Sequence, residues 1–169
     1  MRVLISGGSA SGKSEFAENL AYEIAKDKLF YIATMKHFGE EAIKRIERHK
    51  LLRENKGFET LEVYSDLKDL YIPENSTVLL ECMSNLLANE MFDNGHMDDA
   101  VDEIMKGIKN ILNSAANLIV VSNDVFCDGV EYTAEIAKYI ENLGHLNRLL
   151  VSGADEAYEV IYTIPVKIK

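Results

Sequence analysis

Gly7-Gly8-Ser9-Ala10-Ser11-Gly12-Lys13-Ser14 fits the pattern G-x-x-x-x-G-K-[ST], which is typical of a phosphate-binding loop, or P-loop. In such a loop backbone N–H groups curl around phosphate oxygens, and glycine permits the backbone conformations that this requires. Lys13 would then reach the outer phosphates, and the Ser14 hydroxyl would hold Mg²⁺. The pattern predicts that all residues from Gly7 to Ser14 bind a nucleoside triphosphate, with Lys13 as a catalytic residue.

The sequence on either side supports a P-loop, because such loops lie between a strand and a helix. The segment before the loop contains the apolar run Val3-Leu4-Ile5. After Ser14, apolar residues recur at helical spacing as far as about Lys26. The alternative is an ordinary glycine-rich turn that binds no ligand.

The rest of the chain alternates between strand and helix patterns. Further strands are predicted at 29–33, 58–63, 77–80, 118–121, 157–161 and 166–168, and helices at 40–55, 83–92, 97–115 and 132–151. Because the strands are continuously apolar, they predict a parallel sheet covered on both faces. We therefore expect an α/β protein with one P-loop NTPase-like domain over 1–169, a mostly parallel central sheet and helices on both faces.

Composition excludes some classes of function. The net charge of −10 disfavours a nucleic-acid-binding protein, which would need a basic surface. No apolar run approaches the length of a membrane span, and no signal peptide is visible at the start. Cys82 and Cys127 form no C-x-x-C motif and are expected to be free thiols in a reducing cytoplasm.

Polar residues follow several predicted strands, where ligands of such sheets bind. Glu81 ends a buried strand and is a candidate for a Mg²⁺ ligand or for a partner of its bound water; the alternative is a solvent-exposed carboxylate. Thr34 lies at the same edge and could contact nucleotide or merely cap a turn. Ser122, Asn123 and Asp124 could likewise contact substrate or metal, or cap a loop.

The second predicted helix is basic in an otherwise acidic chain. His49 lies one helical turn from Arg45 and from Arg53, so the three residues share a face. A neutral imidazole can attack phosphorus and form a phosphoramidate, and nearby arginines would neutralise the phosphate. The residues alone favour the alternative, a solvated basic helix with an incidental histidine.

Several segments occur in order along the chain. They are the P-loop, Tyr31-Ile32-Ala33-Thr34, Arg45-Ile46-Glu47-Arg48-His49-Lys50-Leu51-Leu52-Arg53, Glu81-Cys82-Met83-Ser84-Asn85-Leu86-Leu87-Ala88-Asn89, Asn123-Asp124-Val125, Gly144-His145-Leu146-Asn147 and Ala154-Asp155-Glu156. Together they resemble the bifunctional adenosylcobinamide kinase / adenosylcobinamide-phosphate guanylyltransferase family of cobalamin biosynthesis. The resemblance runs nearly end to end, although Ala10 stands where the family usually has arginine.

The resemblance implies two reactions at one nucleotide site. A nucleoside triphosphate, ATP or GTP, phosphorylates adenosylcobinamide, and GMP is then transferred from GTP through a guanylylated histidine at the position of His49. Lys13 and Ser14 would hold the triphosphate and Mg²⁺, Glu81 would serve the metal or the hydroxyl nucleophile, and Arg45 and Arg53 would steady the transferred phosphate. The family also implies a homo-oligomer, specifically a trimer, that binds a corrinoid substrate.

The sequence leaves two alternatives open and disfavours a third. The chain could be a small-molecule kinase in which His49 is incidental, or a nucleotide-binding protein without turnover. A regulatory GTP-binding switch would require D-x-x-G and N-K-x-D motifs, and neither occurs in the sequence.

Overall fold

A central sheet runs through the described part of the chain. The computed structural model describes residues 1–124 and 132–169, without the side chains of Glu41, Ala42, Arg45 and Leu52. The strands in these residues are β1 (Arg2–Ser6), β2 (Leu29–Ala33), β3 (Phe58–Glu62), β4 (Thr77–Glu81), β5 (Asn117–Val121), β6 (Glu156–Ile161) and β7 (Ile164–Lys167). They form one sheet in the order β3-β2-β4-β5-β1-β6-β7, in which β7 pairs antiparallel with β6 and the other pairs are parallel.

Helices cover both faces of this sheet. They are α1 (Lys13–Ile24), α2 (Gly39–Arg53), α3 (Met83–Ala88), α4 (Ala100–Ser114) and α5 (Ala134–Gly153). On one face Ala17 and Ala21 of α1 pack in a core with Ile5 and Ile119. The opposite core joins the alternate strand residues to α3, α4 and α5. The predicted α/β fold, with its mostly parallel sheet and two helical layers, is confirmed.

Some element boundaries differ from the sequence-based expectation. The helix expected from residue 83 to residue 92 ends at Ala88 and continues as a π-helical turn, Asn89–Asp93. The last strand begins at Ile164 and includes Pro165. Because β7 is an edge strand, a residue without an N–H group is tolerated there. The turn before it is Tyr162–Thr163, and both residues have left-handed φ values, of 47° and 67°.

The carboxyl ends of the parallel strands meet at one edge of the sheet. The P-loop follows β1, Thr34 follows β2, Glu81 ends β4 and Ser122 follows β5. No helix among the described residues is long and apolar enough to cross a membrane. Cys82 is a buried free thiol, whereas Cys127 lies outside the described residues.

Candidate active site

The P-loop has the backbone conformation that its sequence predicts. Gly12 has a left-handed φ of 92° and immediately precedes α1, and Ala10 has a φ of 56°. In the described part of the chain no side chain caps the first turn of α1, so its N–H groups can face an anion. The Lys13 side chain is buried, with 5% of the residue exposed, and its ammonium donates to the Gly8 carbonyl at 2.9 Å, within the loop itself.

The turn between β6 and β7 supports the P-loop from outside. The Thr163 N–H donates to the Ser11 carbonyl at 2.7 Å. A Cβ atom on Gly12 would lie 3.0 Å from the Thr163 Cγ2 atom, and one on Gly7 would lie 2.6 Å from the Val160 carbonyl oxygen. Both glycines are therefore required by close packing against the carboxyl-terminal hairpin.

Glu81 is the centre of a hydrogen-bond network that joins three elements to β4. One carboxylate oxygen, Oε1, accepts from the Ser14 hydroxyl at 2.5 Å and lies 3.2 Å from His49 Nδ1. The other, Oε2, accepts from the Tyr31 hydroxyl at 2.9 Å. The network therefore connects the first turn of α1 with β2 and with the basic helix α2.

The same network determines which nitrogen of His49 is free to react. The Tyr31 hydroxyl lies 3.3 Å from His49 Nδ1, but its single proton is already donated to Glu81. Nδ1 must then carry a proton, which it donates towards the Glu81 carboxylate and the Tyr31 hydroxyl oxygen. In a neutral imidazole this tautomer leaves the lone pair on Nε2.

Glu81 remains ionised in this setting. Burial opposes its ionisation, but hydrogen bonds from His49, Ser14 and Tyr31, together with the attraction of His49, lower the pKa of the carboxyl below its ordinary value. An ionised carboxylate accepts every hydrogen bond that reaches it and can offset positive charge on the imidazole.

Two cavities meet at His49. The phosphate cavity, of about 410 Å³, is bordered by residues 9–15, Lys44, Arg48, His49 and Thr163. The inner pocket, of about 40 Å³, lies on the other side and is bordered by Thr34, Lys50, Arg53, Asn85 and Asn123 among others. Lys13 and His49 border both. The first cavity can take a polyphosphate chain, whereas the second has room for only a few water molecules.

Arg53, one of the two arginines singled out from the sequence, does not border the phosphate cavity. The Arg53 side chain is buried, with 7% of the residue exposed, and stacks on Tyr31, with Cζ 3.4 Å from the ring centroid. The side chain of Arg45 lies outside the described residues. Lys44 and Arg48 lie across from the P-loop instead.

The polar residues at the strand ends form structural contacts as well. The Thr34 hydroxyl donates to the Cys82 carbonyl at 2.9 Å and accepts from the Cys82 N–H at 2.7 Å, so Thr34 joins β2 to β4. Asn123 donates to the Ser84 hydroxyl at 2.6 Å, and Ser122 donates to Asn147 at 2.6 Å. The described contacts of Thr34, Asn123 and Ser122 thus hold the sheet edge together.

The oxygen atoms of Ser14 and Glu81 are suitable ligands for a magnesium ion. The Ser14 hydroxyl and the Glu81 carboxylate are hard oxygen ligands that lie within hydrogen-bond distance of each other, and Ser14 borders the phosphate cavity. A second combination consists of Glu18, His49 and Glu81, whose ligand atoms lie within 4.8 Å of one another. Glu18 is already paired with Lys56, whose Nζ lies 3.3 Å from its Oε2.

Sequence reasoning misses some residues of this site. The pattern places Tyr31 only within an apolar strand, and it does not single out Glu18. A carboxylate between Ala17 and Ala21, on the apolar face of α1, is the signal that could identify Glu18. Nothing in the linear sequence indicates that Thr163 contacts the P-loop.

Two solved structures with similar folds are ATPases. An ATPase from a bacterial type III secretion system has a TM-score of 0.56 and 11% identity, with 94% of this chain and 50% of that chain covered. A second solved structure, an ATPase domain, has a TM-score of 0.50 and 12% identity, with 93% of this chain and 68% of that chain covered. At these identities the likeness establishes the P-loop fold alone.

Sequence relatives are much closer in length and identity. The bifunctional adenosylcobalamin biosynthesis protein CobU of Escherichia coli K12 is 31% identical, and that of Salmonella typhimurium LT2 is 30% identical, with all of each chain covered. The corresponding CobP of Pseudomonas aeruginosa PAO1 is 26% identical, with all of this chain and 98% of that protein covered. The family model of cobinamide kinase / cobinamide phosphate guanyltransferase matches residues 3–168. The chain therefore belongs to the cobinamide kinase / cobinamide phosphate guanyltransferase family.

Proposed function

We propose that this protein phosphorylates adenosylcobinamide with a nucleoside triphosphate and then transfers GMP from GTP to the resulting phosphate. Family membership supports both reactions. The observation that carries the proposal is the position of His49, which borders the phosphate cavity while its Nδ1 lies 3.2 Å from the Glu81 carboxylate. A histidine held in this way is prepared to act as a nucleophile.

In the nucleotidyl-transfer reaction, His49 Nε2 attacks the α-phosphorus of GTP. A nitrogen–phosphorus bond forms, the bond to the bridging oxygen breaks, and pyrophosphate leaves with the electron pair. The imidazole becomes positively charged, and the carboxylate of Glu81 offsets this charge while it holds the Nδ1 proton. A phosphate oxygen of adenosylcobinamide phosphate then attacks the same phosphorus, and the electron pair of the breaking bond returns to Nε2.

Cations around the phosphate cavity balance the charge of the triphosphate. Lys13 and the N–H groups at the start of α1 approach it from one side. Lys44 and Arg48 approach it from α2, on the other side. Negative charge accumulates on pyrophosphate as it leaves the α-phosphorus, so these groups stabilise the leaving group.

In the kinase reaction, the hydroxyl of adenosylcobinamide attacks the γ-phosphorus and a nucleoside diphosphate leaves. Glu81 is the candidate acceptor for the hydroxyl proton, or else a ligand of the metal. Ser14 and Glu81 would hold Mg²⁺, which neutralises charge on the phosphates when it is bound. The remaining P-loop residues, Gly7 to Gly12, would cradle the phosphates of ATP or GTP. Thr34 and Arg53 border the inner pocket, which is too small for a nucleoside in this structure, so their predicted contact with the nucleotide requires this pocket to widen.

The proposal includes a cytoplasmic homotrimer, as the family resemblance implies. Multi-angle light scattering of the purified protein tests the trimer directly, and a monomeric mass at working concentration would contradict it.

The experiment that tests the function is labelling with GTP that carries the isotope on its α-phosphorus, in the presence of Mg²⁺. We expect an acid-labile, alkali-stable label on the wild type and none on His49→Ala. His37→Ala is the matched control, because His37 also borders the inner pocket but is half-exposed and bonded to Tyr64. This variant should label like the wild type.

Phosphorylation of adenosylcobinamide is measured on the same three proteins. His49→Ala should retain much of this activity, because the kinase reaction requires no covalent intermediate. A wild type that binds GTP but takes up no label would point to a kinase without transferase activity. Equal loss of both activities in a folded His49→Ala protein would mean that His49 is structural.

A further inference from the structure

Glu18 is a buried carboxylate that the reactions above do not use. It lies on α1, one turn beyond Ser14, and is 0% exposed. Its Oε2 accepts from Lys56 Nζ at 3.3 Å, and Lys56 lies just beyond the end of α2. The pair thus connects the helix that follows the P-loop with the helix that carries His49.

Arg53 is a second buried group beside this connection. Among the described residues, Glu18 Oε1 and Arg53 Nη1 are both buried without a hydrogen-bond partner. One is an acceptor and the other a donor. Burial and then the neighbouring Glu81 raise the pKa of the Glu18 carboxyl, whereas Lys56 and Arg53 favour its ionised form. Leaving both atoms unpaired is costly, so a side-chain rearrangement that joins them is favourable.

Arg53 in turn is part of the surroundings of His49. Its guanidinium stacks on the Tyr31 ring, and the Tyr31 hydroxyl lies 3.3 Å from His49 Nδ1. No described side chain of α2 belongs to either buried apolar core. Polar and stacking contacts at its carboxyl-terminal half therefore decide where α2 lies.

We propose that Glu18 is a positioning residue, which binds Lys56 and Arg53 and thereby holds His49 beside the phosphate cavity. This inference rests on the proposed role of His49 as the nucleophile. Glu18 touches neither substrate nor the reacting atoms in this arrangement. It orients the nucleophile by fixing the end of α2 to α1, the helix whose first turn binds the phosphates.

The alternative role for Glu18 is as a metal ligand together with His49 and Glu81. Glu18 is already paired with Lys56, and the charge of Arg53 also favours its ionised form, so this carboxylate has cationic partners without a metal ion. The charges therefore favour an ion-paired anchor over a metal site. Titration of the nucleotide-free protein with Zn²⁺ tests this choice, and tight binding that Glu18→Gln abolishes would overturn the proposal.

The main experiment compares Glu18→Gln, Lys56→Gln and Glu90→Gln in single-turnover guanylylation by GTP with Mg²⁺. Glu90→Gln is the matched control, because Glu90 is also a buried carboxylate, 2% exposed, but accepts from Asp66 and Asn94, away from His49. We expect at least a roughly tenfold slower rate for the first two variants, with GTP affinity changed less than about threefold, because only the orientation of the nucleophile is altered. The control should label at the wild-type rate.

A second readout does not depend on catalysis. Long-range ¹H–¹⁵N spectra of the His49 imidazole should report the Nδ1-protonated tautomer in the wild type and a mixture of tautomers in Glu18→Gln. If the wild type fails to label but this spectral difference is found, the proposed function fails and the positioning role stands. Wild-type rates and spectra in a folded Glu18→Gln protein would overturn the positioning role itself.

Discussion

At the scale of single residues, the chemistry depends on how side chains constrain one another. Ser14, Tyr31 and His49 each have little freedom, because all three are bonded to the same Glu81 carboxylate. A change at Glu81 therefore alters phosphate binding and the nucleophile together.

Lys13→Ala removes the ammonium group that borders the phosphate cavity. Because both reactions need positioned phosphates, we expect a loss of about 100-fold or more in each. Lys109→Ala, at an exposed position of α4, serves as the control and should be unaffected. Steady-state assays of phosphorylation and of GMP transfer check this, and wild-type turnover in Lys13→Ala would refute the P-loop assignment.

Glu81→Gln keeps the shape of the side chain but removes its charge. The amide can no longer offset an imidazolium or impose the Nδ1-protonated tautomer, so guanylylation should slow by about 100-fold or more. Glu62→Gln is the comparison, since Glu62 borders the inner pocket and its described bonds are to Tyr64 and His37. Rapid-quench measurement of the labelled protein gives both rates, and equal rates would show that the carboxylate charge is not required.

At the scale of secondary-structure elements, two helical glycines are in opposite situations. A Cβ atom on Gly107 of α4 would overlap Leu67 Cβ, in the 3₁₀ turn Leu67–Asp69 that packs against this helix. A Cβ on Gly144 of α5 would meet only Arg148 Nη1, at 3.7 Å. The close approach of α4 to this turn thus requires glycine, whereas α5 does not.

Gly107→Ala should destabilise the protein by about 1–3 kcal/mol, because the added methyl group overpacks the contact. Gly144→Ala should instead stabilise it by about 0.5–1 kcal/mol, through the higher helix propensity of alanine. Urea unfolding monitored by circular dichroism measures both. Similar effects of the two substitutions would contradict the packing described for α4.

The elements differ in how far sequence could predict them. The P-loop, β4 and β5 follow from local patterns, because an apolar run or a glycine signature is sufficient to identify each. Pro165 makes the start of β7 hard to predict, because proline is tolerated in a strand only at the edge of a sheet. That β7 is an edge strand is known only from the folded sheet. The network around Glu81 depends on the order of strands, and the stacking of Arg53 on Tyr31 depends on where α2 lies, so spacing along the chain could not predict either.

At the scale of the whole molecule, stability should depend on alkaline pH through Tyr139. Burial, followed by the nearby Cys82, raises the pKa of this phenol to about 12, and its hydroxyl donates to the Ser84 carbonyl. The folded state therefore holds the proton more tightly than the unfolded state, whose pKa is about 10. The resulting stability is complete below pH 10 and is lost as pH rises towards 12.

Tyr139→Phe removes this titration. We expect the free energy of unfolding of the wild type to fall more steeply than that of the variant above pH 10, by an amount on the order of 2 kcal/mol near pH 12. Urea unfolding at about pH 8, 10 and 11, on either side of the ordinary phenol pKa, measures the two slopes. Parallel curves would mean that Tyr139 ionises as readily in the folded protein as in the unfolded chain.

The pairing of β1 with later strands has a consequence for synthesis on the ribosome. β1 pairs with β5 and β6, both much later in the chain, and the Ser11 carbonyl of the P-loop is bonded to Thr163. During synthesis β1 and the P-loop must therefore wait until β5, β6 and Thr163 have emerged before their partners are present. Competence to bind nucleotide should arise late and in one step, so that incomplete translation products with intact P-loop sequences neither sequester GTP nor begin the reaction.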